Sequence, residues 1–239
     1  MNKNNGKYRR YFERLAIPPK KINQMYLNCL ALSIIYFFLD LKLAIYFHEN
    51  GFLFFWAEKI TKLGHGLFIL TTLALFFVYA KTQNDQKRLE LIVKITITFL
   101  LVAVITHLLK ISFTRARPIM YFKEGLYGFY FFHLSHDYSS FPSGHTMAIT
   151  SLLYSMSKIW PRLLVFFMTL AFLIGFSRVI VGAHYLSDVV MGFALSIYLV
   201  DLIGLFNKPN NNIMLVLFIY FPSCFMSRHI KDGRDIKVK

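Results

Sequence analysis

The sequence predicts an all-α protein, an integral membrane bundle of six transmembrane helices forming one domain over residues 1–239. Three observations lead to this fold class. The chain is 56% hydrophobic and only 16% charged. Several apolar runs approach the ~20 residues that a helix needs to cross a bilayer, and basic residues gather in alternate connections between them. The predicted spans are 25–45, 66–81, 91–109, 145–158, 163–181 and 186–206.

The formal net charge of +15 is explained by membrane topology and does not require nucleic acid as a partner. Basic residues crowd four regions: 1–24, 81–90, 158–162 and 207–239. Six spans place all four on one side, which the positive-inside rule makes the cytoplasm. We therefore expect a multi-pass membrane protein with both termini cytoplasmic. The connections expected on the opposite, outer side are 46–65, 110–144 and 178–185.

The two ends of the chain give weaker signals. The basic tail 1–24 is too long for a cleaved signal peptide and is interpreted as the start of a retained anchor. The apolar segment 213–226 is short for a span and contains a proline, which favours an interfacial or re-entrant segment over a crossing. Cys29 and Cys224 are isolated in apolar runs, so we expect two buried small side chains rather than a disulfide or a zinc site.

Three polar clusters lie on the predicted outer side, and the first is KISFTRARP, 110–118. Lys110 and Arg117 are seven residues apart, which on a helix puts them on one face about 10 Å apart, with Arg115 pointing elsewhere. Pro118 is then expected to end this helix. The side chains of Lys110 and Arg117 could converge on one anion, or they could simply anchor a helix end at the membrane surface.

The second cluster is FPSGHTM, 141–147, at the start of the fourth span. Ser143 is a candidate N-cap, and Gly144 allows close approach to the unpaired N–H groups of the first turn, where the helix dipole favours an anion. His145 would then lie beside that anion. The alternative is a capped helix with an interfacial histidine.

The third cluster is SRVIVGAHYLSD, 177–188. Arg178 closes the fifth span, and His184 and Asp188 are four residues apart, stacked on one helix face. A carboxylate that accepts the Nδ1–H of an imidazole fixes its tautomer and supports the cation formed when Nε2 reacts. A structural His–Asp pair is the alternative. The clustering of all these groups on one side favours function, because ionisable groups at membrane depth are costly.

These three motifs resemble the signature of the type-2 phosphatidic acid phosphatase superfamily of membrane lipid phosphatases. That signature is a lysine, six residues and Arg-Pro; then Pro-Ser-Gly-His; then Ser-Arg, five residues, a histidine, three residues and an aspartate. Each part is complete and in order between residues 110 and 188, about a third of the chain. The six-span layout is also what the family implies.

The resemblance implies a route through a phosphohistidine. His184 would attack phosphorus, with Asp188 orienting it. His145 would protonate the leaving oxygen and later activate water. The phosphate-binding residues would be Lys110, Arg117, Arg178, Ser143 and Gly144. Three protein cations could replace a metal, so we expect neither metal nor cofactor.

The aromatic loop 121–140 is interpreted either as a membrane-embedded wall over the site or as a simple membrane anchor. His133, His136 and Asp137 within it could touch a head group. The expected partners are a membrane lipid substrate and the bilayer, and the sequence predicts no particular protein partner.

The motifs specify a phosphate on a lipid but not the lipid. Compact size, basic tails and the aromatic loop favour the 1-phosphate of lipid A. Undecaprenyl pyrophosphate and phosphatidylglycerol phosphate are the alternatives, and transfer of the phosphoryl group to a second lipid remains open. A small transporter would spread its ionisable groups through the membrane depth, which these clusters do not. A haloperoxidase-like protein using vanadate fits poorly with so hydrophobic a chain.

Overall fold

The computed structural model describes residues 30–132 and 135–204. Several predictions fall outside these residues: the basic tail 1–24, the segment 213–226, the C-terminal region 207–239, both cysteines and His133. The extent of a single domain over the whole chain therefore stays a prediction.

The described residues form eight helices and no β-strand, which confirms the all-α class. The helices are α1 Leu30–Glu49, α2 Phe54–Thr61, α3 Gly66–Thr82, α4 Gln86–Ser112, α5 Pro118–Glu124, α6 Gly144–Ile159, α7 Leu164–Ile180 and α8 Leu186–Ile203. Residues Ile35–Leu39 of α1 form a π-helical turn. Short 3₁₀ turns cover Gly51–Leu53, Lys62–Gly64, His136–Tyr138 and Pro161–Leu163.

Four helical stretches are long and apolar enough to cross a bilayer: Leu30–Glu49, Gln86–Ser112, Pro161–Ile180 and Leu186–Ile203. The pair Gly51–Gly64 and Gly66–Thr82, bent by 50°, makes a fifth if it counts as one span. The α6 helix has 16 residues, or about 24 Å of length, less than the ~30 Å of a hydrocarbon core. The membrane-protein class is therefore confirmed, but six full spans are not.

Helix boundaries follow from local chemistry. The Nδ1 atom of His65 accepts the N–H of Leu67 at the start of α3, and the carboxylate of Asp85 accepts the N–H of Arg88 at the start of α4. Both side chains satisfy first-turn donors that have no partner within the helix. The α5 helix begins with a proline at its first position and ends at Gly125, whose φ of 68° suits glycine.

Three predictions about boundaries are wrong. The segment 46–65 is not a loop, because it holds the end of α1 and all of α2. The α4 helix ends at Ser112, so Arg117 lies in the following loop and not two turns up the same helix face. Pro118 begins α5 instead of ending α4, because a proline is compatible with the first turn of a helix.

The core lies among four helices, with α6 in contact with α3, α4 and α7. The α6 helix also contacts α8. Its buried apolar side chains come from α3, α4, α6 and α7: Ile69, Leu73, Ile95, Phe99, Ile149, Leu153, Phe167, Ala171 and Ile174. Large apolar side chains also point outward, as at Leu75 and Val165, which are 73% and 78% exposed. An apolar exterior of this kind is what a bilayer requires.

Two glycines allow α7 and α8 to approach the first turn of α6. A Cβ atom at Gly175 would lie 2.9 Å from Cγ2 of Thr146, and one at Gly192 would lie 3.1 Å from the carbonyl oxygen of Ser143. Small residues commonly permit such close packing between membrane helices. Here they bring the carboxyl end of α7 and the amino end of α8 to the amino end of α6.

Candidate active site

Four helix ends meet at one end of this bundle, and each brings a predicted site residue. Lys110 lies in the last turn of α4, and Arg178 lies in the last turn of α7. Gly144 opens α6, while His184 lies two residues before α8. The backbone N–H of Ser143 donates to the carbonyl of Asp188 (3.1 Å), which fixes the start of α6 against α8. The three sequence clusters therefore form one site.

The amino end of α6 has no side-chain cap. Ser143 occupies the N-cap position, as predicted, but its hydroxyl does not cap the helix. The hydroxyl instead bonds to that of Thr146 at 2.9 Å. The Cε atom of Lys110 lies 3.4 Å from where a Cβ of Gly144 would be. First-turn N–H groups and an ammonium group thus lie side by side, an arrangement that favours an anion.

Three cations surround this point, and none forms an ion pair with a described carboxylate. The Nζ of Lys110 donates to the carbonyl of Ser139 at 2.5 Å. Arg117 donates from Nη2 to the Ser139 hydroxyl at 3.1 Å. Arg178 donates from Nη1 to the hydroxyl of Thr61 at 2.9 Å. The charges of Arg117 and Arg178 act on Lys110, so the three cations lie near one another.

His184 is buried and held by the backbone. Its Nδ1 lies 2.7 Å from the carbonyl oxygen of Ser140, to which it donates. Burial, reinforced by the charges of Lys110 and Arg117 and opposed by Asp188, lowers the pKa of His184 to about 3. The imidazole is therefore neutral at neutral pH, with the proton on Nδ1 and a lone pair on Nε2.

The expected direct hydrogen bond between Asp188 and His184 is not formed. Oδ2 of Asp188 lies 3.8 Å from Nδ1, because it accepts instead from the hydroxyl of Ser140 at 2.6 Å and the backbone N–H of Tyr185 at 2.9 Å. Oδ1 accepts from Arg115 at 2.5 Å. The prediction that the two residues share a helix face is wrong, because His184 precedes the first residue of α8. Their side chains are close, but Ser140 lies between them.

His145 lines a cavity of about 410 Å³. Its ring is perpendicular to that of His65, with centroids 5.6 Å apart. The charges of Arg178, Lys110 and Arg117 all act on it. The cavity is lined by residues of α2, α3 and their connection, together with His145: Thr61, Lys62, His65, Leu67, Phe68 and Thr71.

The loop 113–143 is built on backbone pairing. Arg115 pairs with Phe129 and Ser139 in isolated bridges, and the N–H of Arg117 donates to the carbonyl of Asp137 at 2.9 Å. The rings of Phe129 and Phe141 pack edge to face, 5.3 Å apart. These contacts fix the conformation of the loop and hold Arg117 and Ser140 in place. His136 contributes its carbonyl to Nε of Arg117 at 3.1 Å.

Sequence reasoning missed two groups of residues. Arg115 is fully buried between Asp188 and Asp40, a carboxylate in the middle of α1. A carboxylate inside an apolar run was a usable signal for a buried partner. Thr61 and His65 were also missed, because nothing in the local pattern of 46–65 indicated that this segment returns to the site.

Among the described residues, no group of three His, Cys, Asp or Glu side chains comes together in a way that could hold a metal ion.

The chain is similar to two curated bacterial proteins named lipid A 1-phosphatase. It is 38% identical over 90 residues to those of Rhizobium johnstonii and Rhizobium etli, a stretch that covers 38% of this chain. That stretch covers only 37% and 39% of the two relatives, respectively.

Two solved structures are also similar. One is the transmembrane PAP2-type phosphatidylglycerolphosphate phosphatase of Bacillus subtilis, with 24% identity and a TM-score of 0.49, covering 75% of this chain and 92% of that one. The other is Aquifex aeolicus LpxE, with 24% identity and a TM-score of 0.47, covering 69% and 93%. The PAP2 superfamily model matches residues 91–211, about half of the chain and all three motifs. The protein belongs to the PAP2 superfamily.

Proposed function

We propose that this protein is a metal-independent membrane phosphatase that removes phosphate from a lipid head group through a phosphohistidine at His184. The observation that carries the proposal is the set of three cations, Lys110, Arg117 and Arg178, which pair with no described carboxylate and lie beside the open amino end of α6. A neutral, buried imidazole next to such a set is suited to attack a phosphorus atom held by it.

In the first step, Nε2 of His184 attacks phosphorus while the bond from phosphorus to the lipid oxygen breaks. His145, which is protonated once the negatively charged phosphate group is bound beside it, gives its proton to that oxygen, and the lipid leaves as an alcohol. Lys110, Arg117 and Arg178 stabilise the charge on the transferring group, together with the first-turn N–H groups near Gly144 and the Ser143 hydroxyl. Positive charge fixed in advance is the main catalytic device for phosphoryl transfer.

In the second step, His145 takes a proton from water as the oxygen of that water attacks phosphorus. The bond between phosphorus and Nε2 breaks, inorganic phosphate is released, and the neutral His184 is regenerated. Because His145 serves the leaving oxygen, the leaving group lies on its side of the site. The cavity between α2 and α3 could hold the lipid part of the substrate, because the apolar side chains of Leu67 and Phe68 line it.

The substrate we propose is lipid A, which would lose its 1-phosphate. The similarity to two proteins named lipid A 1-phosphatase supports this choice. Phosphatidylglycerol phosphate and undecaprenyl pyrophosphate are the competing substrates. Transfer of the phosphoryl group to a second lipid is the competing reaction.

We further propose that the protein lies in a bacterial inner membrane with the site facing the periplasm and both termini in the cytoplasm. Lys81, Arg88, Lys158 and Arg162 lie at the helix ends remote from the site. Basic residues near membrane helix ends are concentrated on the cytoplasmic side.

The test is phosphate release by the purified protein in detergent from lipid A, undecaprenyl pyrophosphate and phosphatidylglycerol phosphate. We expect the fastest release from lipid A, none from the His184→Ala variant, and wild-type release from His107→Ala, an exposed histidine on α4 three residues before Lys110. Faster release from another lipid would overturn the substrate alone. Release by His184→Ala, or none by the wild type from any of the three lipids, would overturn the function.

A further inference from the structure

Arg115 is a fully enclosed charged residue of the site region. Its side chain has no exposed surface, and neither do those of Asp40 and Asp188, with which it forms ion pairs at 2.8 and 2.5 Å. Its guanidinium also stacks within 4.3–5.4 Å of four aromatic ring centroids, those of Tyr36, Tyr127, Phe129 and Tyr185. Burial alone would lower the pKa of Arg115, but Asp188 and Asp40 hold it above its ordinary value. Arg115 is therefore a fixed cation.

The second carboxylate, Asp40, comes from α1 and is held as firmly as Asp188. Its Oδ1 accepts the backbone N–H of Ser187 at 2.8 Å, and its Oδ2 accepts from the Ser187 hydroxyl and from Arg115. These bonds join the middle of α1 to the first turn of α8, directly beside Asp188.

Ser140 connects this network to His184. Its hydroxyl donates to Asp188 at 2.6 Å, and its carbonyl accepts the Nδ1–H of His184 at 2.7 Å. Its own N–H donates to the carbonyl of Arg115 at 3.1 Å. Ser140 thus contacts Arg115, Asp188 and His184, so the positions of Arg115 and Asp188 influence the orientation of the imidazole.

We propose that Asp40, Arg115 and Ser140 are positioning residues, through which Asp188 acts on His184. The inference rests on the proposed function, in which His184 is the nucleophile. Asp188 orients the imidazole indirectly, by holding Ser140, and Arg115 holds Asp188.

Asp40 helps to fix Arg115 in this arrangement. Its Oδ2 accepts from Nη2 of Arg115, while Oδ1 of Asp188 accepts from Nη1, so the guanidinium is held between the two carboxylates. Without the charge of Asp40, Arg115 would keep only its ion pair with Asp188. It would then hold Asp188, and through Asp188 the hydroxyl of Ser140, less precisely.

A purely structural role predicts something different. If the network only ties α1 to α8, removing Asp40 would lower stability and would affect every activity step in proportion to the loss of folded protein. The loss would also be independent of what stands at position 188.

The experiment is a double-mutant cycle with Asp40→Asn, Asp188→Asn and the combination, with kcat, KM and Tm measured in detergent. We expect Asp40→Asn to lower kcat about tenfold, the lower end of the effect seen when partners that orient metal ligands are removed, with KM unchanged. In the Asp188→Asn background the same change should cost less than about twofold, because coupled residues are not additive. The control Asp201→Asn, whose carboxylate pairs with Lys158 at 2.7 Å at the opposite end of the bundle, should keep wild-type kcat.

Equal losses in both backgrounds, or a kcat loss that only follows Tm, would overturn the proposal. If Asp40→Asn does not fold, Ser140→Ala decides, because it keeps the carbonyl that holds Nδ1 and removes the hydroxyl that holds Asp188. Its kcat should fall about tenfold at constant KM, and an unchanged kcat would overturn the proposal. A wild-type protein that releases no phosphate from the three lipids would instead refute the proposed function, before the cycle is begun.

Discussion

Arg115 and Arg117 are two residues apart in one loop and have opposite surroundings. Arg115 is fully buried and bridges two carboxylates. Arg117 donates to a carbonyl and a hydroxyl, and no described carboxylate pairs with it. Arg115 thus links two buried carboxylates, whereas Arg117 is a cation without a described carboxylate partner. The difference comes from which distant carboxylates reach each position.

The two ends of the bundle repeat this contrast. At the end remote from the site, Lys158 pairs with Asp201, which also accepts from the hydroxyl of Tyr154 at 3.0 Å. At the site end, Lys110, Arg117 and Arg178 have hydrogen bonds but no described carboxylate. A phosphate-binding site requires cations that are not already paired with carboxylates. We therefore expect substitutions of the unpaired cations to lower kcat and substitutions of the paired ones to lower Tm.

The largest expected effect on activity comes from Arg117→Met. We expect kcat to fall ~10²–10³-fold, the usual cost of one charge-stabilising donor, while Tm stays within the error of the wild type. Phosphate release and a thermal melt in detergent measure the two quantities. The matched control is Arg162→Met, an exposed arginine at the other end of the bundle. An Arg117→Met protein with a lower Tm but a wild-type kcat would show that Arg117 stabilises the fold instead of binding phosphate.

In contrast to Arg117→Met, Arg115→Met should lower the stability of the protein. It leaves two carboxylates facing each other without their guanidinium, and breaking a buried ion pair typically costs about 3–5 kcal/mol. We expect little folded protein in size-exclusion chromatography, or a much lower Tm. Arg115→Met protein with wild-type stability would show that the buried pairs do not hold the fold.

A smaller effect is expected where helices approach the site. Gly175→Ala would place its Cβ 2.9 Å from Cγ2 of Thr146 and 3.2 Å from Cγ1 of Val189, and overpacking of this kind costs typically 1–3 kcal/mol. We expect a lower Tm and a partial loss of kcat, since Thr146 bonds to Ser143. Gly51→Ala, where a Cβ meets nothing within 4 Å, is the control. A harmless Gly175→Ala would mean that α7 can shift without disturbing the site.

The smallest expected effect is that of metal removal. If three protein cations supply the positive charge, EDTA should leave the rate unchanged and added Mg²⁺ should not raise it. Vanadate, a tetrahedral anion, should compete with the substrate for the same cations. Turnover that depends on Mg²⁺ would show that Lys110, Arg117 and Arg178 are not sufficient.

Much of the helical framework could be predicted, because long apolar runs with polar ends determine where membrane helices begin and end. The prediction 66–81 corresponds to α3, Gly66–Thr82, and 163–181 to α7, Leu164–Ile180. The short helices α2 and α5 were missed, since eight and seven residues give too little periodicity to distinguish them from loops. Pro118 was assigned to a helix end because a proline stops one helix and starts another equally well.

The motif residues could be predicted as a group, but their contacts could not. Spacing along a helix placed His184 beside Asp188, yet the residue that separates them, Ser140, is 44 positions from His184 in the chain. Asp40 reaches Arg115 across 75 positions. Pairings at such separations depend on how the helices pack, which a local pattern does not contain.

If Lys110, Arg117 and Arg178 hold the phosphate while His184 attacks it, His184 should carry the phosphoryl group as a covalent intermediate. Rapid alkaline quenching of the wild type during turnover of lipid A labelled with ³²P at the 1-phosphate, followed by identification of the labelled residue, measures this. We expect label on His184, stable in base and lost in acid, and none in the His184→Ala variant. Turnover without protein-bound label, or label retained in His184→Ala, would refute the phosphohistidine.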